Sequence, residues 1–425
     1  MKIFKKIKNT VWGLLSALLI LSACNKLELN PVPLTQPTQE TTPTIGTLLD
    51  NPDFSFLKAA VQRAGLAAAP GTPTLLQQLS NPAQRFTVFA PNNNAFIASG
   101  IPSIAVINSL PVGTVFGLVS YHVIPQVITA GSIPSRFPNF QYPTILNPLP
   151  PSPATALFRL TTFPSVRANG AWVNNIPIIA VNIPAVNGVV HAVAALIAPP
   201  STDLWAKIST DADLTYLKAA IQRADSGVAA GGRLQDALDL ASNTAAIGSN
   251  LTIFAPNDAA FKLFLTGAIT QALVGLGLPP ATAQGQAIFL VATYGTLLLT
   301  NPYAISPALG ATITPTLAKG VVAYHILSSQ SGTYAPPGIR VFSVNLPSTP
   351  TAVKTLLNSA VAVHPGVTVQ ATFVSPVPGV SVVAAATVKG AANATASNIL
   401  IGQTTSDLHY LNGVIHKIDQ VLLPQ

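Results

Sequence analysis

The sequence has a single cysteine and few charged side chains. Because Cys24 is the only cysteine in 425 residues, no disulfide can form within the chain and no cysteine-based metal site is available. Charged residues make up 8% of the chain, against about a quarter in an ordinary soluble domain. Only 13 residues are acidic, which leaves few general acids for catalysis. The fold must therefore be held by packing, and its surface must be built largely from uncharged side chains.

Motifs for catalysis and for nucleic-acid binding are also missing. The sequence has no Gly-x-Ser-x-Gly turn, no Gly-x-x-x-x-Gly-Lys loop and no His-Glu-x-x-His pattern. Its 6 histidines lack the spacing typical of metal ligands. Outside a lysine-rich N-terminus, the basic residues are scattered and form no stripe. We therefore predict a non-enzyme with no catalytic residue, no metal, no cofactor and no nucleic-acid partner.

The N-terminal segment has the pattern of a targeting signal. A lysine-rich start precedes an apolar run over 11–20, which is shorter than the roughly 20 residues that a membrane-spanning helix needs. The run ends in Leu21-Ser22-Ala23-Cys24, which resembles the lipobox of bacterial lipoproteins. That resemblance implies a signal peptide over 1–23 and a lipid on Cys24. The alternative is an ordinary secretory signal with a chance cysteine.

The residues after Cys24 bear on where the protein is located. Asn25 stands where an aspartate would imply retention at the inner membrane, so the same resemblance implies an outer-membrane lipoprotein. We expect its folded part to be surface-exposed, with a periplasm-facing orientation as the alternative. Residues 24–43 are rich in Pro and Thr without apolar periodicity, which predicts a semi-extended tether. The membrane is thus an expected partner through the N-terminal lipid.

Four sequence blocks recur in the same order in the two halves of the chain. The blocks of the first half begin at Phe56, Phe86, Tyr121 and Asn187, and their counterparts begin at Tyr216, Leu251, Tyr324 and Asn412. An ordered set of this kind indicates a duplicated domain. The offset between counterparts grows along the chain, so the second copy carries insertions, mainly between Phe261 and Tyr324. We predict domains over 44–199 and 204–424.

Together these blocks resemble the signature of the fasciclin (FAS1) domain family. The signature consists of a strand ending Thr-Val-Phe-Ala-Pro-Asn, a central Tyr-His pair and a terminal Asn-Gly-Val-Ile-His strand. The resemblance covers nearly all of the chain after the signal segment. It implies an α+β fold of two tandem modules, each a wedge-shaped β-sandwich with helices packed around it. It also implies a role in cell adhesion.

The Tyr-His pairs are the candidate interaction residues. In animal members of the family the corresponding region is linked to integrin binding, so the resemblance points to Tyr121, His122, Tyr324 and His325. The alternative is a structural role, because buried rings of this kind find hydrogen-bond partners within their own domain.

The remaining motif residues have structural explanations. Asn92 and Asn257 follow strand-ending prolines and are suited to cap the next helix. The Asn-Gly pairs predict hairpin turns, because both residue types tolerate positive φ, and they place a histidine in each core strand that follows. Those residues are Asn187, Gly188 and His191, with Asn412, Gly413 and His416 in the second copy.

Two further features have competing interpretations. Asp258 is explained as a carboxylate in the first turn of its helix, with a catalytic acid as the alternative. Asp211 and Asp213 are explained as capping and solvating groups at a helix entrance, with contact to a cation as the alternative. The apolar stretch 287–300 is too short to cross a membrane and is predicted as a buried core helix.

The expected function is adhesion, or attachment to extracellular matrix or envelope components, through exposed loops and with a protein or glycan partner. Three alternatives remain: a glycan- or small-ligand-binding accessory lipoprotein of an outer-membrane system, a purely structural envelope component and an enzyme. An uncharged surface rich in Asn, Gln and Thr suits neutral polar ligands, whereas an enzyme conflicts with the missing motifs.

Overall fold

Each half of the chain folds into a mixed sheet with helices packed against it. The structure is a computed structural model, and it describes residues 42–135, 137, 139–149, 158–167, 170–244, 249–327, 339–377 and 380–424. The predicted signal peptide, Cys24 and nearly all of the predicted tether lie outside these residues. The chain from Pro43 onward forms one compact unit that contains both halves.

The first half begins with helices and ends with strands. Its helices are α1 (Ile45–Leu48), α2 (Ser55–Ala64), α3 (Leu75–Leu79), α4 (Asn93–Ala98), α5 (Ile104–Ser109) and α6 (Val112–Tyr121). Its strands are β1 (Phe86–Pro91), β2 (Val123–Ile124), β3 (Tyr142–Pro143), β4 (Thr161–Thr162), β5 (Pro164–Arg167), β6 (Gly170–Val173), β7 (Ile176–Ala185) and β8 (Gly188–Val193). Strand β1 lies inside the sheet, in the order β2-β1-β8-β7-β6-β5, while β3 and β4 pair separately.

The second half repeats this plan with longer elements. Its helices are α7 (Leu204–Thr210), α8 (Thr215–Ala224), α9 (Leu234–Leu238), α10 (Asp258–Gly275), α11 (Pro280–Tyr294), α12 (Leu297–Thr300), α13 (Pro307–Thr312) and α14 (Pro315–Tyr324). Its strands are β9 (Leu251–Pro256), β10 (Ile326–Leu327), β11 (Thr351–Val353), β12 (Val367–Val377), β13 (Val380–Lys389), β14 (Ser397–Ile399), β15 (Leu408–Tyr410) and β16 (Gly413–Ile418). The sheet order is β10-β9-β16-β14-β13-β12-β11, and β15 also pairs with β16.

The central strand pair is parallel in both halves. Val88 pairs with Val190 where β1 meets β8, and Ile253 pairs with Ile415 where β9 meets β16. All six residues of β1 and of β9 are buried, which explains their near-continuous apolar sequence. The predicted α+β fold is confirmed. The domain bounds at 44–199 and 204–424 stay a prediction.

Helices α2 and α8 cover one face of these sheets. In α2 the buried residues recur at helical spacing, with Leu57, Ala60, Val61 and Ala64 turned toward the core. Lys58 lies outside this row and pairs with Asp50 at 2.5 Å between Nζ and Oδ1. The same spacing recurs in α8, so both copies of the first sequence block form core-packing helices.

The prediction of one buried helix over 287–300 is wrong. The stretch falls in two helices, α11 and α12. Ala287 and Val291 are buried, but Ile288 is 54% exposed and Phe289 is 63% exposed. Helix α11 is apolar around most of its circumference, so its sequence pattern did not reveal that only one side is covered.

Candidate functional site

The two Tyr-His pairs lie at the ends of α6 and α14 and are buried. Tyr121 and Tyr324 have no exposed surface, and His122 and His325 are each 1% exposed. The Tyr121 hydroxyl donates to the Thr161 carbonyl at 2.8 Å. Because none of these side chains reaches the surface, a partner would have to open the domain to contact them.

Both histidines are held in one neutral tautomer. Nδ1 of His122 donates to the Leu118 carbonyl at 2.8 Å, and Nε2 accepts from the Ile197 amide at 3.0 Å. His325 makes the same bonds at 2.7 Å and 2.8 Å, to Val321 and from Leu422. Burial lowers the pKa of each imidazole to about 4, although the backbone carbonyl partly opposes the shift. The two rings therefore tie the last residues of each half to the helix that precedes β2 or β10.

The Asn-Gly motif serves long-range packing. Gly188 pairs with Ala185 and Gly413 pairs with Tyr410, so each turn is centred one residue earlier than the sequence predicted. The Asn187 side chain accepts from the Ile45 amide at 2.9 Å and donates to the Leu79 carbonyl at 2.8 Å. Asn412 connects α7 and α9 in the same way. These asparagines lock N-terminal helices onto the last core strand of each half.

The glycines of this motif are required by a close strand contact. A Cβ on Gly188 would lie 1.9 Å from the Phe86 carbonyl oxygen, and its φ is +153°. A Cβ on Gly413 would lie 2.5 Å from the Leu251 oxygen. No other residue type fits at this point of either parallel strand pair without displacing the neighbouring backbone.

His191 and His416 lie in the core, where their rings bond the backbone. His191 Nε2 lies 2.8 Å from the Ile128 carbonyl oxygen, and its ring stacks on Phe89 with 5.6 Å between centroids. His416 Nε2 lies 2.9 Å from the Val341 oxygen. Among the described residues, no group of His, Cys, Asp and Glu side chains is arranged to hold a metal ion.

Asn92 and Asn257 cap the helices that follow β1 and β9. Their Oδ1 atoms accept from the amides of Ala95 at 2.9 Å and of Ala260 at 2.8 Å. Asp258 lies in the first turn of α10, and its carboxylate also accepts from the Tyr216 amide at 3.0 Å and so caps α8. The predicted first-turn position is correct, while the bond to a second helix depends on the tertiary fold.

Asp211 and Asp213 surround a buried lysine. Lys417 is 5% exposed, and its Nζ lies 3.0 Å from Asp211 Oδ2 and 3.2 Å from Asp213 Oδ2. Burial alone would raise the pKa of Asp211, but hydrogen bonds from Lys207, the Asp213 amide and Lys417 hold it at about 2. The expectation that these carboxylates serve capping and solvation is therefore incomplete, since they also neutralise Lys417.

The two halves share a buried contact that includes an arginine without an ion-pair partner among the described residues. Arg340 of the second half is 3% exposed and lies over the ring of Phe163 of the first half, 5.1 Å from its centroid. Its Nη1 lies 2.6 Å from Nε2 of His409, and its Nη2 donates to the Leu411 carbonyl at 3.1 Å. Burial lowers the pKa of Arg340 to about 10 and that of His409 well below its ordinary value. Arg340 is therefore charged at neutral pH, with a neutral imidazole as acceptor.

Further contacts hold the halves together. Asn345 Nδ2 donates to Ser165 Oγ at 2.8 Å, and both residues are fully buried. Phe163 and Phe342 contact each other with 6.2 Å between ring centroids. Sequence reasoning missed this interface. The available signal was a lone arginine inside the apolar run Ile339-Arg340-Val341-Phe342.

The insertion in the second half presents apolar side chains to solvent. Helices α10 and α11 form a hairpin on which Leu263 is 69% exposed, Leu276 66% and Phe289 63%. Helix α11 contains no charged residue. Among the described residues, no helix combines the length and apolar character needed to cross a bilayer. Exposed apolar groups concentrated on one element are typical of a binding surface.

Comparisons with known proteins relate this chain to a domain family. A family model of the fasciclin domain matches residues 52–199. The protein sll1483 of Synechocystis is 31% identical over 162 residues, which cover 35% of this chain and 69% of that protein. The FAS1 domain pair of the insect cell adhesion molecule fasciclin I, a solved structure, matches 88% of this chain and 98% of its own at 15% identity, with a TM-score of 0.30.

The chain belongs to the fasciclin family. Fasciclin domains are non-enzymatic domains linked in general to adhesion and cell-surface interactions, and they are typically extracellular. The resemblance seen in the four repeated sequence blocks is thereby confirmed.

Proposed function

We propose that this protein is a lipid-anchored adhesion protein of the outer membrane that binds a partner protein through the hairpin of α10 and α11. The main supporting observation is the exposure of Leu263, Ile288 and Phe289 on the insertion in the second half, in a chain from a family of adhesion-type domains. Burial of large apolar side chains of this kind against a partner stabilises the complex. A protein partner fits the apolar face of α11, a helix without charged residues, better than a glycan does.

The anchor is supported by the sequence alone. Cys24 follows Leu21-Ser22-Ala23 as the lipid attachment site of a lipoprotein would, and a Pro/Thr-rich tether separates it from the folded part. Two or more acyl chains hold a protein stably on a membrane, whereas one chain binds marginally. We expect the Tyr-His pairs to maintain the fold, since their side chains are buried and hydrogen-bonded.

A test compares cells that display the wild type with cells that display the Ile288→Ser/Phe289→Ser variant. We expect at least a tenfold drop in attachment to a matrix- or cell-coated surface for the variant. Leu66→Ser is the matched control, because Leu66 is 68% exposed but lies in the first half. Unchanged attachment of the hairpin variant, at equal surface amount, would count against this binding surface.

Anchoring and orientation are tested separately. We expect Cys24→Ala to release the protein from the membrane fraction, and protease added to intact cells to digest the wild type. If the wild type is digested only after the outer membrane is breached, adhesion is ruled out and the partner lies inside the envelope. Self-association of the purified chain, abolished by the hairpin substitutions, would identify a second copy as the occupant of the hairpin.

The alternative, a glycan- or small-ligand-binding accessory role, requires a ligand site. A cleft between the two halves favours that candidate, because polar side chains from both halves line it.

A further inference from the structure

An open cleft lies where the two halves meet, away from the hairpin of α10 and α11. Its volume is about 560 Å³, within the range of small-ligand sites. The first half lines it with Trp172, Asn175 and Pro177, and the second half lines it with residues of β13 and of the segments around Ser343 and Asp407. Neither half alone forms this cleft.

The cleft walls are held in place by the buried contact between the halves. Trp172 and Phe163 pack with Phe342 and Val344 in one apolar cluster. Ser165 and Asn345, which are hydrogen-bonded to each other, lie close in sequence to the cluster members Phe163 and Val344. A site built on such contacts is preorganised, which lowers the entropic cost of binding a ligand.

Three polar side chains of the cleft have no hydrogen-bond partner among the described residues. The Trp172 indole N–H is buried and has no hydrogen-bond partner among these residues, and the whole residue is 3% exposed. Asn175 and Gln403 line the cleft from opposite halves, and no hydrogen bond of either side-chain amide is found among the described residues. Both amides can therefore bond a ligand.

A fourth polar group is already oriented. The Asp407 carboxylate accepts from the Ser343 amide and from the Ser343 hydroxyl, both at 2.6 Å. Asp407 has a φ of +54°, a left-handed conformation that aspartate adopts more readily than most residues. Two carboxylate oxygens provide about four acceptor positions, so capacity remains for donors from a ligand.

The composition of the cleft defines the class of ligand. Its described lining contains no lysine, arginine or histidine, and Asp407 is its single acidic residue, so an anionic ligand is disfavoured. Val382 and Ile401 are 39% and 42% exposed and offer apolar contact beside the amides and the carboxylate. A ring with C–H faces and hydroxyl groups around its edge matches this pairing of apolar and polar groups.

We propose that the cleft between the halves binds a neutral saccharide. Asn175 and Gln403 bond hydroxyl groups from opposite sides, Asp407 accepts from a further hydroxyl, and Trp172 forms a buried part of the wall. This inference gives a site to the alternative function and does not depend on adhesion through the hairpin. The two proposals can fail independently, because one concerns a soluble sugar and the other a surface contact.

The test uses the full chain purified in detergent and labelled with 15N-tryptophan. The chain has 3 tryptophans, one of them within the predicted signal peptide, so the indole N–H signals are few and Trp172→Phe identifies the one in the cleft. Maltose, cellobiose and N,N′-diacetylchitobiose are titrated in turn. We expect at least one of them to shift the Trp172 signal with saturation.

The double variant Asn175→Ala/Gln403→Ala should weaken that sugar at least tenfold. The control Gln126→Ala, an exposed glutamine outside the cleft, should bind as the wild type does. Equal affinity of the double variant, or no shift of the Trp172 signal with any of the three sugars, would overturn the proposal. A shift produced only by an unrelated peptide would replace the saccharide with a peptide ligand. Loss of sugar binding with unchanged cell attachment would separate this site from the adhesion surface.

Discussion

Acidification should destabilise the protein through the two buried histidines of the Tyr-His pairs. The pKa of His122 and His325 is about 4 in the folded protein, against an ordinary value of 6.5. In the folded state each Nε2 accepts a backbone amide hydrogen, so a proton on that atom would oppose the donor and break the bond. The unfolded chain has no such constraint and binds the proton freely.

The direction and the size of this destabilisation follow from proton linkage. Because the folded pKa is depressed, the stabilisation is complete above about pH 6.5 and is lost as the pH falls toward about 4. For a pKa of about 4 folded and 6.5 unfolded, the loss at pH 5 is about 2 kcal/mol per histidine. The two sites together lose about 4 kcal/mol, a large part of the roughly 5–15 kcal/mol that stabilises a typical domain. Burial also lowers the pKa of His191, which adds in the same direction.

The assay is denaturant unfolding at pH 7 and pH 5, followed by fluorescence and circular dichroism. The wild type should lose several kcal/mol between these pH values, while His122→Gln/His325→Gln should start less stable and lose about 4 kcal/mol less. Gln126→Ala should keep the pH dependence of the wild type. If the double variant and the wild type lose the same free energy, the histidines are not the cause and the reasoning from buried neutral rings is refuted.

Three further changes test the packing. Gly188→Ala should cost at least about 3 kcal/mol because its Cβ meets a backbone oxygen of β1, whereas Gly117→Ala, with open space around its Cβ in α6, should be neutral or stabilising by about 0.5–1 kcal/mol in thermal unfolding. Lys417→Ala should cost about 1.5–3 kcal/mol, because the buried Asp211 carboxylate loses one of its two lysine partners and keeps only Lys207, and adding Asp211→Asn should restore part of that loss in a double-mutant cycle. Arg340→Ala should loosen the contact between the halves, seen as a second unfolding transition or as faster proteolysis between them, and a single unchanged transition would contradict its role.

The first half offers a natural comparison for the lysine cluster. Ala192 occupies the position of Lys417, and Asn51 occupies that of Asp211, as the repeat alignment places them. Asn51 accepts from the Asp53 amide at 3.0 Å, as Asp211 accepts from the Asp213 amide at 2.9 Å. The turn is therefore kept with or without charge. The second half has both the buried cation, Lys417, and the buried carboxylate, Asp211. The first half has neither at the equivalent positions.

Several features were readable from the amino-acid sequence because their causes are local. Helical spacing located the buried face of α2, and Pro91 marked the end of β1. Asn92 and Asn257 precede their helices directly, and an N-cap needs only an amide three residues ahead. The duplicated order of the blocks was sufficient to indicate two copies of one fold.

Other features were decided only by the tertiary structure. Asn187 bonds to Ile45 and Leu79, more than 100 residues away in the chain, and Gly188 is required because β1 passes beside it. The exposure of Phe289 depends on which side of α11 meets the core, and an apolar helix carries no pattern that states this. The burial of Arg340 and the cleft beside Trp172 exist only where the two halves meet. Local sequence determines which elements form, whereas contacts between distant segments determine which side chains are buried, paired or left open to a ligand.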